Sequence, residues 1–258
     1  LDLCERERID ALLSFMDQDV VVLSGLRHEL QQRGTVPVLP PNDLAVLCLD
    51  KWLAYEFFQA HALETASTFR DYESALDAVS ACTIDFPLMV KPRFGFGRAN
   101  TFLAHNEREL DVLFHYQKDM LIQERLVGEE YDLDLLCDFD GNALAIVPWR
   151  KYSSRLGETE QAITVDSPPL LDFGLALVKA LGHHIGPMDV DLFVTGDSIQ
   201  ILEMNPRFGG GYPVSHLAGA DFPALILRLL RGESVEPRIG DYRHGVVMMK
   251  DIVPFGGL

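Results

Sequence analysis

Apolar and polar positions along the chain switch between two periods, and the clearest signal lies between Pro187 and Tyr212, PMDVDLFVTGDSIQILEMNPRFGGGY. Residues 189–194 and 199–204 are rich in Val, Ile, Leu and Phe, and Thr195-Gly196-Asp197-Ser198 between them carries turn chemistry, so the pattern predicts a β-hairpin. Side chains alternate faces along a strand, so Asp189, Asp191 and Phe193 share one face, Val190, Leu192 and Val194 the other. On the second strand Ile201, Glu203 and Asn205 go together. If Asp191 stands opposite Glu203, a register requiring an odd-length loop, then Asp191, Glu203 and Asn205 converge on one face above an apolar underside.

Elsewhere the pattern reads as mixed α/β. Residues 5–17 have helical spacing, VVVL at 20–23 predicts a buried strand, 25–33 a helix and TVPVL at 35–39 another strand. After Pro40-Pro41, Asn42 or Asp43 is placed to cap a helix that runs, with a break at Asp50, to about Ala60. Residues 71–80 predict a helix, 86–92 a strand leading into the glycine loop RFGFGRAN, 101–105 a strand and 106–118 a helix. Residues 120–149 predict a strand followed by a hairpin turning at Asp140-Gly141-Asn142. The polar stretch 150–166, carrying Arg150, Lys151 and Arg155, reads as a mobile loop, either binding an anion or simply solvated. Pro168 to Leu181 predicts a helix stopped at Gly182, with His183 and His184 as surface or capping residues. Residues 213–218 and 222–230 predict two further helices, and 245–253 a closing strand.

Chemistry enters through residue type. Oxygen-only ligands select hard cations, and Mg²⁺ is held by one or two carboxylates with substrate phosphates and water completing its shell, so Asp191, Glu203 and Asn205 point to a metal beside a phosphate-bearing substrate. Asp189 is the alternative to Asp191. Arg207 adds a planar cation suited to phosphate oxygens, and glycines 209–211 would let backbone approach a ligand closely. Lys91, at a strand end, can reach phosphate, while Gly95 and Gly97 permit a flexible flap carrying Arg93 and Arg98. Neither GxxxxGK[ST] nor a complete dinucleotide fingerprint is present.

Composition narrows the classes. With 258 residues, 48% hydrophobic and 24% charged, the chain has the make-up of a globular protein with a sizeable core. A formal charge of −17 argues against nucleic-acid partners and against anionic membrane surfaces. No basic-then-apolar leader and no membrane span are expected. The four cysteines are widely spaced and form no CxxC, which fits reduced thiols and a cytoplasmic location.

At ILEMNPRFGGG the chain resembles the metal-binding signature of the ATP-grasp superfamily, with the halves of carbamoyl phosphate synthetase large subunits as the nearest likeness. The resemblance implies an ATP-grasp fold of two lobes sandwiching ATP, residues 43–258, with a small flap lobe over about 61–124 and a large lobe over about 125–258. Residues 1–42 would be part of a preceding Rossmann-like segment. It implies that Asp191, Glu203 and Asn205 bind two Mg²⁺ (or Mn²⁺) ions and that Arg207 touches the transferred phosphate. Lys51, in Asp50-Lys51-Trp52, and Lys91 would be the phosphate cations, with Gly95 and Gly97 in the flap. QERLVGEEYDLD resembles the adenosine-binding connection, with Gln123 and Glu124 near the adenine amine, Arg125 and Leu126 as linker backbone and Glu130 on the ribose hydroxyls. The implied reaction is attack of a carboxylate on the γ-phosphate, giving an acyl phosphate that an amine or similar nucleophile displaces, so the partners are small molecules; a homodimer is left open. Two rivals stand beside it: an ATP-binding regulatory or scaffold module without turnover, and a phosphotransferase on the same fold.

Overall fold

The structure is a computed structural model that describes residues 1–95, 99–155 and 158–251. The first elements are α1 (Asp2–Glu7), β1 (Ala11–Leu12), α2 (Asp17–Gly25), α3 (Arg27–Gln32) and β2 (Val36–Pro37), and β1 pairs parallel with β2 around the two intervening helices. Two expectations fail here. The helix read over 5–17 stops at Glu7, where Arg8 takes a left-handed conformation (φ 53°), and VVVL lies inside α2, not in a strand. Four consecutive apolar residues cannot separate the two periods. Burial does, because Val20 is fully buried against Leu39 and Ala45 while Val22 is 63% exposed.

Next come α4 (Asn42–Leu49) and α5 (Lys51–Ala60). The break between them is at Asp50, whose carboxylate accepts from the backbone of Trp52 (3.0 Å) and Leu53 (3.3 Å) and so caps α5. The start of α4 has no side-chain cap: Asn42 instead donates to the Val21 carbonyl at 2.9 Å, tying α4 to α2.

A small sheet follows, built from β3 (Thr68–Phe69), β4 (Leu88–Pro92), β5 (Phe102–Ala104) and β6 (Met120–Glu124) in the order β3-β6-β4-β5, with α6 (Tyr72–Ser80) and α7 (Glu107–Phe114) interleaved. Both helices start at a side-chain cap, Asp71 and Asn106. Strand alternation divides the sheet. Leu88, Val90, Met120 and Ile122 pack with Ala75 and Leu110 of the helices, which leaves Lys91 and Gln123 on the opposite face.

The large sheet uses β7 (Glu129–Cys137), β8 (Ala143–Arg155), β9 (Glu158–Thr164), then, after α8 (Pro168–Leu181), β10 (Gly186–Thr195) and β11 (Ser198–Asn205). Helices α9 (Pro213–Leu217) and α10 (Phe222–Leu230) and strands β12 (Arg238–Ile239) and β13 (Val247–Met249) complete the fold. The order is β11-β10-β7-β8-β9-β13, with β12 parallel to β8. One face is apolar: Leu133, Leu135, Val190, Leu192 and Ile201 pack with Leu177 of α8. Close helix approach needs Gly174, since a Cβ there would lie 3.0 Å from Ile146.

Two more expectations are corrected here. The stretch read as a polar loop at 150–166 is largely strand, the end of β8 paired antiparallel with β9. Its three cations are paired with acids of this sheet, Arg150 with Glu129, Lys151 with Asp132 and Asp191, and Arg155 with Glu160. His184 is fully buried, and burial pushes its imidazole down to about 4, so it is a core residue and not a surface one.

Candidate functional site

The turn between β10 and β11 is short, with Thr195 paired to Ser198, so a regular ladder would put Asp191 opposite Leu202. A β-bulge corrects this. Leu192 pairs with Ile201 and Asp191 with Glu203, leaving Leu202 as the extra residue. The required odd residue therefore lies in the strand, not in the loop. The same bulge turns Ile201 to the apolar face, contrary to its expected place beside Glu203.

Cross-strand pairing then builds two polar rows. Asp132, Asp191 and Glu203 are successive Cα partners across β7, β10 and β11, and Asp134, Asp189 and Asn205 form the next row. Lys151 of β8 reaches between the acids, its Nζ 2.8 Å from Asp191 Oδ1 and 3.0 Å from Asp132 Oδ1. Burial, the largest single influence, would raise the Asp191 carboxyl, but the charge and hydrogen bond of Lys151, with Asp132 and Arg207, together outweigh it and hold the group below the usual carboxylate range. Asp132 goes the other way, raised well above that range by burial and then by Asp191. Asp189 is raised by burial, Asp191 and Asp134. In the second row Asp134 is raised to about 6 by burial, although Trp149 Nε1 (2.8 Å) and Ser215 Oγ (2.5 Å) donate to it.

Arg207 leaves the end of β11 and is held on two sides. Its Nη2 donates to Asp17 Oδ2 at 3.2 Å with Nε 3.1 Å from Asp17 Oδ1, while Nη1 donates to Asp189 Oδ2 at 3.3 Å and to the Phe208 carbonyl at 3.1 Å. The glycines beyond it serve the protein's own packing. A Cβ at Gly209 would lie 2.4 Å from Asp189 Oδ1, and one at Gly211 would lie 2.1 Å from the Trp149 ring. At Gly209 and Gly211 the groups in close approach are Asp189 and Trp149.

Facing these rows is a wall with two lysines. Lys91 is 7% exposed, and burial, helped by Lys51, lowers its ammonium to about 8 against the opposing pull of Glu203 and Asp191. Lys51 Nζ donates to the Gly95 carbonyl at 2.6 Å and stands 4.0 Å from Glu203 Oε2. Lys51, Tyr55, Lys91, Gln123, Glu203 and Met204 line one pocket. Gln123 donates to Thr68 Oγ1 at 2.8 Å, and the Glu124 carboxylate accepts from Ser67 N at 3.2 Å. Arg125 and Leu126 lie in the connection from β6 to β7, and Glu130 is half-buried two residues before Asp132, on its face.

Arg93, expected on a flap, is instead clamped to Asp50 through Nε (2.7 Å) and Nη2 (2.6 Å). Gly97 and Arg98 lie outside the described residues. Of the three cations at 150–155, only Lys151 enters the site; Arg150 pairs with Glu129 and Arg155 with Glu160. Sequence reasoning missed Asp132 and Asp17. The alternation Asp132-Leu133-Asp134 in an otherwise apolar run signals acids on one face of a strand, whereas nothing local marks Asp17.

The donors suit a hard cation in type more than in present arrangement. Among the described residues no three His, Cys, Asp or Glu converge closely enough to hold a metal. Asn205 turns its amide nitrogen toward Asp189 (3.3 Å) and Asp191 (3.5 Å), and Asp191 is engaged by Lys151. Three buried carboxylate oxygens nevertheless lack a hydrogen-bond donor among the described residues: Asp189 Oδ1, and Asp132 Oδ1 and Asp17 Oδ1, which touch Lys151 and Arg207 outside hydrogen-bond geometry. The oxygen-only donor set and this surplus of acid fit Mg²⁺.

A family model described as ATP-grasp in the biosynthetic pathway with Ter operon matches residues 116–250, just over half of the chain. The chain belongs to this ATP-grasp family. Carbamoyl phosphate synthase large chains of Bifidobacterium longum and Bifidobacterium adolescentis are 28% and 29% identical over 160 residues, 52% of this chain and 14% of theirs. The ATP-grasp chain thus spans about a seventh of the length of these relatives. Among solved structures, the biotin carboxylase domain of Hydrogenobacter thermophilus 2-oxoglutarate carboxylase, a dimer with MgADP and bicarbonate, superposes with a TM-score of 0.74 at 19% identity, over 95% of this chain and 59% of that one. The L-amino acid ligase of Bacillus licheniformis gives 0.68 at 17% identity, over 92% and 61%. These likenesses establish the ATP-grasp fold. No helix among the described residues is long and apolar enough to cross a membrane.

Proposed function

We propose that this ATP-grasp chain binds Mg·ATP between the lysine wall and the acid rows and uses it to activate a carboxylate as an acyl phosphate, which an amine or similar nucleophile then captures. The observation that carries this reading is the facing of Lys51 and Lys91 across one pocket from Glu203. Two cations opposite a surplus of carboxylates leave room for a metal on one side and phosphate on the other. The relatives support the chemistry, being carbamoyl phosphate synthases, a carboxylase domain holding MgADP and bicarbonate, and an amino acid ligase.

Glu203 and Asn205, with Asp191 released from Lys151, would hold Mg²⁺ or Mn²⁺, up to two ions, and a cation there supplies neutralising charge beside the phosphates. Lys51 and Lys91 offset the charge of the triphosphate, and Arg207, fixed by its acids, is directed at the transferred group. Catalysis in this reading is positioning and electrostatic stabilisation, with no protein nucleophile. In this reading Gly95 belongs to the flap, Gln123 to Leu126 take adenine, and the Glu130 carboxylate accepts from the ribose diol. The ATP-grasp unit would be residues 43–258, preceded by a Rossmann-like segment at 1–42.

Calorimetric titration with the unreactive analogue AMP-PNP, with and without Mg²⁺, tests the binding half. ATP turnover screened against pooled carboxylates and amines tests the reaction. Mg²⁺-independent or absent binding would sink the assignment, and ADP formed without a ligated product would move it to a phosphotransferase.

A further inference from the structure

Resting on the reading above, we infer that Asp17 is a positioning residue that fixes the direction of the Arg207 guanidinium in the site. Asp17 is the first residue of α2, whose start has no side-chain cap. A carboxylate there would ordinarily serve its own helix end. Here it crosses to a residue 190 positions away in sequence, meeting the Nε and Nη2 edge of Arg207 at 3.1 and 3.2 Å. Both side chains are enclosed, with 18% of Arg207 and 16% of Asp17 exposed. Asp189 and the Phe208 carbonyl hold Nη1 from the other side.

The segment that carries Asp17 is itself anchored. Val20 packs with Leu39 and Ala45, Asn42 bonds the Val21 carbonyl, and the Phe15 ring lies 5.7 Å from that of Phe208, next to Arg207. Arg side chains carry roughly 2 kcal/mol of rotamer entropy, so an arginine fixed in advance meets a developing charge at lower cost. The contact has a distinctive kinetic consequence. Asp17 partly offsets the charge of Arg207, so removing it does not weaken attraction for an anionic substrate in the ground state. What is lost is direction, which acts on kcat.

The first measurement needs no substrate. In protein labelled with ¹⁵N-arginine, the signal of the Arg207 Nη2–H group, which donates to Asp17 Oδ2, is assigned by its disappearance in Arg207→Lys. In the parent it should exchange slowly with water, and in Asp17→Asn faster by about tenfold or more, the scale of one charge-assisted hydrogen bond. Unchanged exchange overturns the inference. Asp17→Glu carries the same test if the Asn variant does not fold: it keeps the charge, lengthens the reach, and should give intermediate protection.

The second measurement is ATP turnover. Asp17→Asn should lower kcat by about tenfold with KM for ATP unchanged or lower, and should add nothing in an Arg207→Lys background. A rise in KM at constant kcat, or the same loss in both backgrounds, means that Asp17 only supports the fold. A parent that neither binds Mg·AMP-PNP nor turns over ATP overturns the proposed function instead, and the exchange measurement still decides the role of Asp17.

Discussion

The two walls of the pocket hold their cations differently. On the sheet side every cation is engaged: Lys151 lies between Asp132 and Asp191, and Arg207 between Asp17 and Asp189. On the lysine wall Lys51 donates to the Gly95 carbonyl and stands 4.0 Å from Glu203, but Lys91, just as enclosed as the sheet-side cations, has no ion pair or hydrogen bond among the described residues, and its pKa has dropped to about 8. Burying an ammonium without a partner is costly, and ordinary cores avoid it. The contrast separates two uses of buried charge. Cations between acids hold a shape, whereas Lys91, opposite Glu203 and without a partner among the described residues, is the cation that the proposed function assigns to phosphate.

The sharpest way to break that comparison is to remove the cation from the engaged side. Lys151→Met keeps most of the volume and leaves Asp132 and Asp191 facing one another without a counter-charge. Breaking a buried ion pair by deleting one partner costs about 3–5 kcal/mol, and this variant should lose stability on that scale at neutral pH. The sign of its pH dependence follows from the shifts. In the parent, Asp191 is depressed, so its contribution is present above the unfolded carboxylate value of about 3.9 and is lost as pH falls through the lower folded value. In the variant both acids would titrate above their unfolded values, a penalty that grows as pH rises. The gap between parent and variant should therefore narrow toward pH 5. Chemical denaturation at pH 5 and pH 7.5 measures it, and an equal gap at both would show that the Lys151 charge does not organise the acids.

A second prediction concerns the carboxylate that faces the lysines. Glu203→Gln keeps the shape and removes one negative charge, and ATP turnover should fall by roughly 10² or more, the scale of losing one preorganised electrostatic contact. Adenosine, which lacks phosphates, is the control, and its affinity should move little because Gln123 to Glu130 are untouched. Turnover at the parent rate with a matched acceptor, or loss of adenosine binding in a folded variant, would make this hairpin structural.

How far this site was legible in the sequence follows from the range of each interaction. Asp191, Glu203 and Asn205 were placed on one face by period-two alternation within a single hairpin. Even the need for an odd residue was readable, although its location as a bulge at Leu202 was not, because turn length does not report a strand irregularity. The helix break at Asp50 was legible because a cap is a local device. The misreadings lie where local pattern is silent. VVVL is equally a strand or a helix until Leu39 and Ala45 cover Val20. The polar run at 150–155 looked solvated because the acids that bury Lys151 come from β7 and β10, 19 and 40 residues away. Asp17 could not be found, since its partner lies in another segment and the residues around it repeat no motif.

The smallest predicted effect tests the unengaged lysine directly. Lys91→Ala should weaken Mg·AMP-PNP binding by about 1.5–3 kcal/mol, the net worth of a hydrogen bond to a charged group. A finer signature lies in protons. With Lys91 lowered to about 8, the free protein at pH 8.5 carries it largely neutral, whereas bound phosphate favours the ammonium and draws its pKa back up. Binding should therefore take up protons, on the order of half a proton at pH 8.5, and affinity should fall as pH rises above about 8. The nucleotide does not obscure this, because a terminal phosphate with a second pKa near ~6 is already ionised there. In the free protein the linkage runs the other way. The unfolded chain holds the Lys91 proton more tightly between about 8 and 10.5, so folding stability rises with pH across that window. Titrations in buffers of different ionisation enthalpy count the protons. If the parent shows no uptake, or Lys91→Ala shows the same uptake as the parent, Lys91 does not meet the phosphates and the contrast between the two walls loses its functional meaning.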